Sequence, residues 1–231
     1  MQPSKKNRWI MFNQISKTYD LINRFITFGL DISWRNAMIE CLPQSCSNLL
    51  DIASGTMDVA IAATKKRPDI ISITALDMAK DMLHIGDQKC KKNHIKTIHS
   101  KVADVHNMPF DDNSFDAATV SFGIRNFENL DQAFSDTCRV IKPNGSFIIL
   151  ESCQPSNRIL ILLNNLYLKI WVRGMGALLS GNGDSYGYLA NSIQTFHSPQ
   201  ELQQMLIKAG FKSVSNQYFM CQSVQLIHAV K

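Results

Sequence analysis

A chain of 231 residues with 45% hydrophobic and 19% charged positions can bury a full core, and one α/β domain with an appendage is the expected arrangement. The net charge of +5 is too mild to indicate nucleic acid, though it favours contact with an anionic membrane surface. Six scattered cysteines (Cys41, Cys46, Cys90, Cys138, Cys153, Cys221) include no CxxC pair and no histidine at metal-ligand spacing, so no metal is expected. They read as reduced, mostly buried thiols of a cytoplasmic protein. Residues 1–9 lack the apolar segment of a secretory signal, and no uncharged apolar run approaches the length of a membrane span.

Residues 8–42 carry Trp9, Phe12, Ile15, Tyr19, Ile22, Phe25 and Ile26 at three- and four-residue spacing. This predicts an amphipathic helical stretch, broken at Gly29 and resumed over 34–42. It precedes the first core strand, so residues 1–47 read as an N-terminal helical cap. Within it, Lys17-Thr18-Tyr19-Asp20 sets a phenol beside charges.

The organising stretch follows. Residues 49–53 form a short apolar run enclosing Asp51, the profile of a buried parallel strand. Ala53, Ser54, Gly55 and Thr56 make a small-residue turn, and Asp58 opens a helix. Strand, tight turn and helix bring backbone amides up to a bound ligand. A second apolar strand over 70–76 ends in Asp77, about 20 residues past the glycine turn, where an acid accepts hydrogen bonds from ribose hydroxyls. The pair points to an adenosine-type ligand without saying which.

A helix is then expected over 78–92 and a third strand by 102, with Asp104 and Val105 after it. The loop 108–116 leads to a fourth strand over 117–122, a helix over 130–141, a turn at 142–145 and a strand over 146–151. Such alternation requires a parallel, doubly wound sheet. Residues 158–179 are dense in large apolar groups yet too short and interrupted to span a bilayer. They read either as a buried core helix or as an apolar lid over a greasy substrate. Gly181, Gly183 and Asp184 connect this segment to Tyr186 and Tyr188. A helix over 199–209 stops at Gly210, and 212–215 with 222–230 close the chain as an antiparallel pair.

Several of these pieces recur together in one family. They are Met11-Phe12 with Lys17-Thr18-Tyr19-Asp20, Leu50-Asp51-Ile52-Ala53-Ser54-Gly55-Thr56, Leu76-Asp77, and Met108-Pro109-Phe110 with Asn113-Ser114-Phe115-Asp116. Ser121-Phe122-Gly123-Ile124-Arg125-Asn126, Arg139-Val140-Ile141-Lys142-Pro143 and Tyr186-Gly187-Tyr188-Leu189 complete the set. By these motifs the chain resembles the ubiquinone/menaquinone biosynthesis C-methyltransferases, a class I S-adenosylmethionine-dependent family. The resemblance implies a Rossmann-like, mostly parallel sheet of about seven strands with helices on both faces. It also implies a single domain: cap 1–47, cofactor-binding core 48–151, lid region 152–195, and closing helix and strands 196–231. Met57 stands where the family usually has a second glycine; a side chain there either weakens cofactor binding or points away.

By the same resemblance, Thr56, Asp77, Asp104, Val105 and Ser121 contact S-adenosylmethionine, with Asp51, Gly55 and Met78 beside them. Asp77 suits the ribose, Asp104 the adenine amino group and Thr56 the methionine end. Carbon methylation of a quinol requires alignment, loss of a hydroxyl proton and exclusion of water. Tyr19 and Arg125 are the candidate catalytic residues: Arg125 to stabilise a phenolate-like oxygen, Tyr19 to position or relay the proton. The alternative for the pair is packing for Tyr19 and an ion pair for Arg125. His84, His94 and His99 read as surface or core residues rather than bases. The implied partner is a prenylated quinol in menaquinone and ubiquinone biosynthesis, met at the inner membrane face, with homodimerisation left open. Competing readings are another small apolar acceptor, a cofactor-binding protein with degenerate catalysis, and an NAD oxidoreductase, which the absence of G-x-G-x-x-G and Tyr-x-x-x-Lys disfavours.

Overall fold

In the computed structural model, which describes residues 8–172, 174 and 191–231, seven strands form one sheet. They are β1 (Asn48–Ile52), β2 (Ser72–Asp77), β3 (Ile98–Val102), β4 (Phe115–Ser121), β5 (Ile141–Ser152), β6 (Ser213–Phe219) and β7 (Val224–Val230), ordered β3-β2-β1-β4-β5-β7-β6. The first five are parallel; β7 runs antiparallel to β5, and β6 antiparallel to β7. The chain winds outward from β1 to β3 and then returns to the other side of β1 with β4. That reversal opens a crevice at the carboxyl ends of β1 and β4, where open α/β sheets bind ligands.

Successive side chains of each strand enter opposite layers, because the strand period is two. Leu50, Ile52, Ala118, Val120, Phe147 and Ile149 pack on one face with Phe134 and Leu206. Leu49, Ala117, Ile148 and Leu150 pack on the other with Met38, Ala60 and Leu83. The covering helices are α1 (Arg8–Ile26), α2 (Leu30–Glu40), α3 (Asp58–Lys66), α4 (Lys80–Lys92), α5 (Leu130–Val140), α6 (Arg158–Tyr167) and α7 (Pro199–Lys208). Gly29, at φ 75°, divides the cap into α1 and α2, as the broken periodicity predicts. A capping box between Ser198 and Glu201 starts α7.

Several boundaries differ from the sequence reading by two residues or more: β2 begins at Ser72, β4 at Phe115 and β7 at Val224, and three others shift as follows. Residues 142–145, expected as a turn, belong to β5, which begins at Ile141 through an irregular register between Phe115 and Ala117. Asn144 takes φ 62° there and donates its amide to the Lys231 carbonyl, so terminal pairing overrides the turn signal. Helix α4 begins at Lys80 rather than Met78, because the Asp77 carboxylate accepts the Ala79 amide and holds those residues extended. Strand β6 runs on to Phe219, beyond 215.

The apolar segment from Arg158 is α6 followed by a π-helical turn, Leu168–Val172. Ile159, Leu162 and Ile170 are 68%, 69% and 62% exposed, and Leu163 and Leu166 are exposed as well, so the core-helix reading is overturned. Asn164, Leu168 and Val172 are buried, and Tyr167 packs against the cap, its hydroxyl donating to the Ile26 carbonyl. Arg173, residues 175–179, Gly181, Gly183, Asp184, Tyr186, Gly187, Tyr188 and Leu189 lie outside the described residues. Among the described residues, no helix is long and apolar enough to cross a membrane.

Candidate active site

The β1–α3 turn is held in an unusual backbone. Ala53 (φ 50°), Gly55 (φ 54°) and Met57 (φ 64°) all lie in the left-handed region, where each non-glycine residue costs roughly 1–2 kcal/mol. Asp77, at the end of β2, staples this turn. Its Oδ2 accepts the Gly55 amide at 2.8 Å and its Oδ1 the Ala79 amide at 2.7 Å. Burial raises its pKa, against the pull of those backbone amides.

Above the turn lies a cavity of about 360 Å³. Gly55, Asp77, Met78, Asp104, Val105 and Ser121 border it, with Phe122, Phe127 and the cap residues Trp9, Phe12 and Tyr19 as its apolar walls. Ser121 Oγ is buried without a hydrogen-bond partner, a donor and acceptor left for something in the cavity. Gly123 allows the floor to close, since a Cβ there would lie 2.8 Å from the Ala53 Cβ. Asp104 is oriented by His106. The Asn129 amide donates to His106 Nε2 at 3.1 Å, so Nδ1 carries the ring proton and donates it to Asp104 Oδ1 at 2.5 Å. The His106 amide goes to the same oxygen, so both donors engage Oδ1 and Oδ2 keeps its accepting capacity.

A chamber of about 30 Å³ opens beside this cavity, bordered by Asp51, Ser54, Gly55, Thr56, Ser121, Tyr19 and Asp20, and by Arg35 and Asp58. Asp51 is 1% exposed; it accepts Thr119 Oγ1 at 2.7 Å and the Ser54 hydroxyl. Burial pushes its carboxyl up to about 6, against those hydrogen bonds and the charge of Arg35. Thr56 donates its hydroxyl to Asp20 at 2.6 Å, tying the turn to the cap. An ionic web extends that tie. Lys89 of α4 meets Asp20 and Asp58; Arg35 meets Asp31 and Asp58; Arg24 meets Asp31.

A third cavity, about 110 Å³, lies under the cap. Tyr19, Asn23, Trp34, Arg35, Arg125, Asn126, Tyr167 and Val224 are among its walls. It shares Phe12, Tyr19, Phe122 and Asn126 with the 360 Å³ cavity, so two ligands there would meet across these four residues. Tyr19 has its pKa raised by burial, opposed by the Asn23 side chain and the charges of Arg125 and Arg35. It is therefore a neutral hydrogen-bond donor near neutral pH. Arg125, 9% exposed, is ion-paired with the fully buried Glu151 at the end of β5 and also donates its amide to it. Burial raises the Glu151 pKa despite that arginine. Glu151 does not border the cavity, whereas Arg125 does.

All ten candidate residues thus border one of three adjoining spaces, although Asp51 and Thr56 face the small chamber rather than the large cavity. Met57 borders none of them. Its side chain is fully buried against α4, beside Gly86 and Cys90. His84, His94 and His99 are exposed and border none of these spaces. Sequence reasoning missed Glu151, His106, Arg35 and the Asp20–Lys89–Asp58 web. Two signals pointed their way: Glu151 ends a parallel strand, and Asp31 and Arg35 share a helix face at i,i+4.

Known proteins resemble this chain in sequence and fold. Residues 2–231 match the model of the ubiE/COQ5 methyltransferase family. The demethylmenaquinone methyltransferase of Thermotoga maritima is 37% identical over 211 residues, covering 90% of each chain. The ubiquinone/menaquinone biosynthesis C-methyltransferase UbiE of Bartonella quintana is 36% identical, over 89% of this chain and 80% of its own. Among solved structures, a SAM-dependent methyltransferase from Aquifex aeolicus shares the fold, with a TM-score of 0.57 at 15% identity over 80% of this chain and 81% of that one.

Proposed function

Because the chain belongs to the ubiE/COQ5 methyltransferase family, we propose that it is an S-adenosylmethionine-dependent C-methyltransferase of a prenylated quinol ring, converting demethylmenaquinol to menaquinol. The observation that carries the reading is the junction of the 360 Å³ and 110 Å³ cavities across Phe12, Tyr19, Phe122 and Asn126. One space suits a nucleoside and the other an aromatic ring, and methyl transfer needs the two in contact.

The unpartnered Ser121 hydroxyl, the oriented Asp104 Oδ2 and the acid Asp77 beside the glycine turn fit an adenosyl group. When bound, S-adenosylmethionine supplies an electrophilic methyl on sulfur. Asp77 binds the ribose, Asp104 the adenine amino group, and Val105 and Met78 pack against the base. Arg125, held by Glu151, sets a fixed positive charge beside the acceptor ring. That charge lowers the pKa of a ring hydroxyl and stabilises the oxyanion that makes the adjacent carbon nucleophilic. Tyr19 stays protonated, so it orients the ring oxygen as a donor rather than removing its proton. Phe12, Trp34 and Phe122 exclude water.

The tail of such an acceptor lives in a bilayer. The exposed face of α6, with Leu162, Leu166 and Ile170, continues through the Phe28–Trp171 stack to Phe25 and Ile32 on the cap. Arg158 and Lys169 flank this face, which suits peripheral contact with an anionic membrane. The degenerate-site reading loses its motive, since Met57 is buried against α4 and borders none of the three spaces. A single-turnover assay with reduced demethylmenaquinone and a demethylated benzoquinol tests the reading. Methylation of the naphthoquinol is expected; cofactor binding with turnover of neither quinol would refute it.

A further inference from the structure

The 30 Å³ chamber joins the large cavity around Tyr19, Ala53, Gly55 and Ser121, so it lies beyond the part that suits a nucleoside. Three carboxylates border it, Asp20, Asp51 and Asp58, and the one cation among its bordering residues is Arg35. Lys89 stands close by but is fully engaged: its ammonium reaches the Thr56 carbonyl at 3.1 Å, Asp58 at 2.7 Å and Asp20 at 2.5 Å. Arg35 is different. Its Nη1 serves Asp31 and Asp58, while its Nε is buried without a hydrogen-bond partner, on a side chain only 10% exposed. A buried N–H with no acceptor is costly and calls for one. The acids of the chamber suit an ammonium. An anion can be met there by the guanidinium, which recognises carboxylates through its fork of donors.

The methionine end of S-adenosylmethionine carries both charges, one ammonium and one carboxylate. We propose that Arg35 binds the carboxylate of that methionine end. The inference rests on the cofactor reading above and adds its anion partner. It also makes the N-terminal cap part of the cofactor site, because Arg35 sits on α2 and is tied to α3 through Asp58. Cap and sheet then close on the same molecule.

Titration calorimetry of the full chain tests this with S-adenosylhomocysteine and its decarboxylated analogue, which differ only in the carboxylate. The wild type is expected to prefer S-adenosylhomocysteine roughly 10- to 100-fold, as one charge-assisted hydrogen bond requires. Arg35→Gln should abolish most of that preference by weakening S-adenosylhomocysteine alone. Equal binding of the two ligands by the wild type overturns the proposal, as does an undiminished preference in the variant. Wild type that binds neither ligand overturns the cofactor reading itself. Arg35→Gln strips Asp31 of a partner, so a thermal melt checks its folding, and Asp31→Asn/Arg35→Gln removes the stranded acid. Arg35→Lys keeps the charge but lacks Nε. It should lower the preference while leaving the decarboxylated analogue's affinity as in the wild type; a preference equal to the wild type's counts against the proposal.

Discussion

Met57 and Gly86 form the two halves of one contact between α3 and α4, and Gly86→Ala tests it. A Cβ at Gly86 would lie 2.5 Å from Met57 Cγ, 2.7 Å from Sδ and 3.0 Å from Cε. Cγ is near the root of the side chain, so a change at its tip does not clear the overlap. Overpacking of this kind costs about 1–3 kcal/mol. Replacing a mid-helix glycine by alanine returns about 0.5–1 kcal/mol, so a net loss of about 1–2 kcal/mol is expected. Met57→Gly relieves the left-handed backbone, worth roughly 1–2 kcal/mol, but forfeits a buried side chain worth about 2–5 kcal/mol. In that background the three nearest atoms to the new Cβ are gone, and Gly86→Ala should stabilise by about 0.5–1 kcal/mol. The sign reversal implies a coupling of about 2 kcal/mol between positions in direct contact. Urea unfolding of the four proteins, followed by far-ultraviolet circular dichroism, measures it. If Gly86→Ala shifts the midpoint equally in both backgrounds, Met57 is not seated on α4. Cofactor affinity of Met57→Gly should equal that of the wild type, since Met57 borders none of the three spaces of the site.

Asp77→Ala should weaken S-adenosylmethionine binding by about 1–3 kcal/mol, through the lost charged hydrogen bond, and unchanged affinity in calorimetry would dismiss the ribose assignment. Burial raises the Asp51 carboxyl from 3.8 to about 6, so its protonated form favours the fold. That contribution is complete below the unfolded value and lost as pH rises to about 6, so wild-type stability relative to Asp51→Asn should fall across that window and level off above it. Urea midpoints that differ by the same amount at every pH would contradict this. Leu162→Asp and Ile170→Asp replace residues that are 69% and 62% exposed, and should fold and bind cofactor while losing affinity for anionic vesicles. Loss of their thermal transition would return α6 to the core.

The sheet was legible because its strands are read on both faces at once. Leu49-Leu50-Asp51-Ile52 needs helices above and below, and the period between Asp51 and Asp77 fits one βαβ turn of the chain. The glycine turn and Asp77 were legible as a pair because their spacing is local to that unit. Long-range electrostatics was not. Nothing near Asp20 in the chain announces Lys89, and nothing near Arg125 announces Glu151, 26 residues on. The exposure of α6 was likewise hidden, because a dense aliphatic run reads the same whether it faces a core or a membrane. The turn at 142–145 failed for a similar reason: its Lys-Pro-Asn-Gly signal is local, whereas the pairing that overrides it comes from Lys231.

The central step is transfer of a methyl group to a ring carbon at the junction of the two cavities. Incubation with methyl-labelled S-adenosylmethionine and reduced demethylmenaquinone, followed by fragmentation of the product, measures that most directly. The label is expected on the quinol ring carbon, with Tyr19→Phe and Arg125→Gln each slowing its arrival at saturating cofactor. Label on a ring oxygen, or none in the quinol despite tight cofactor binding, would contradict the account.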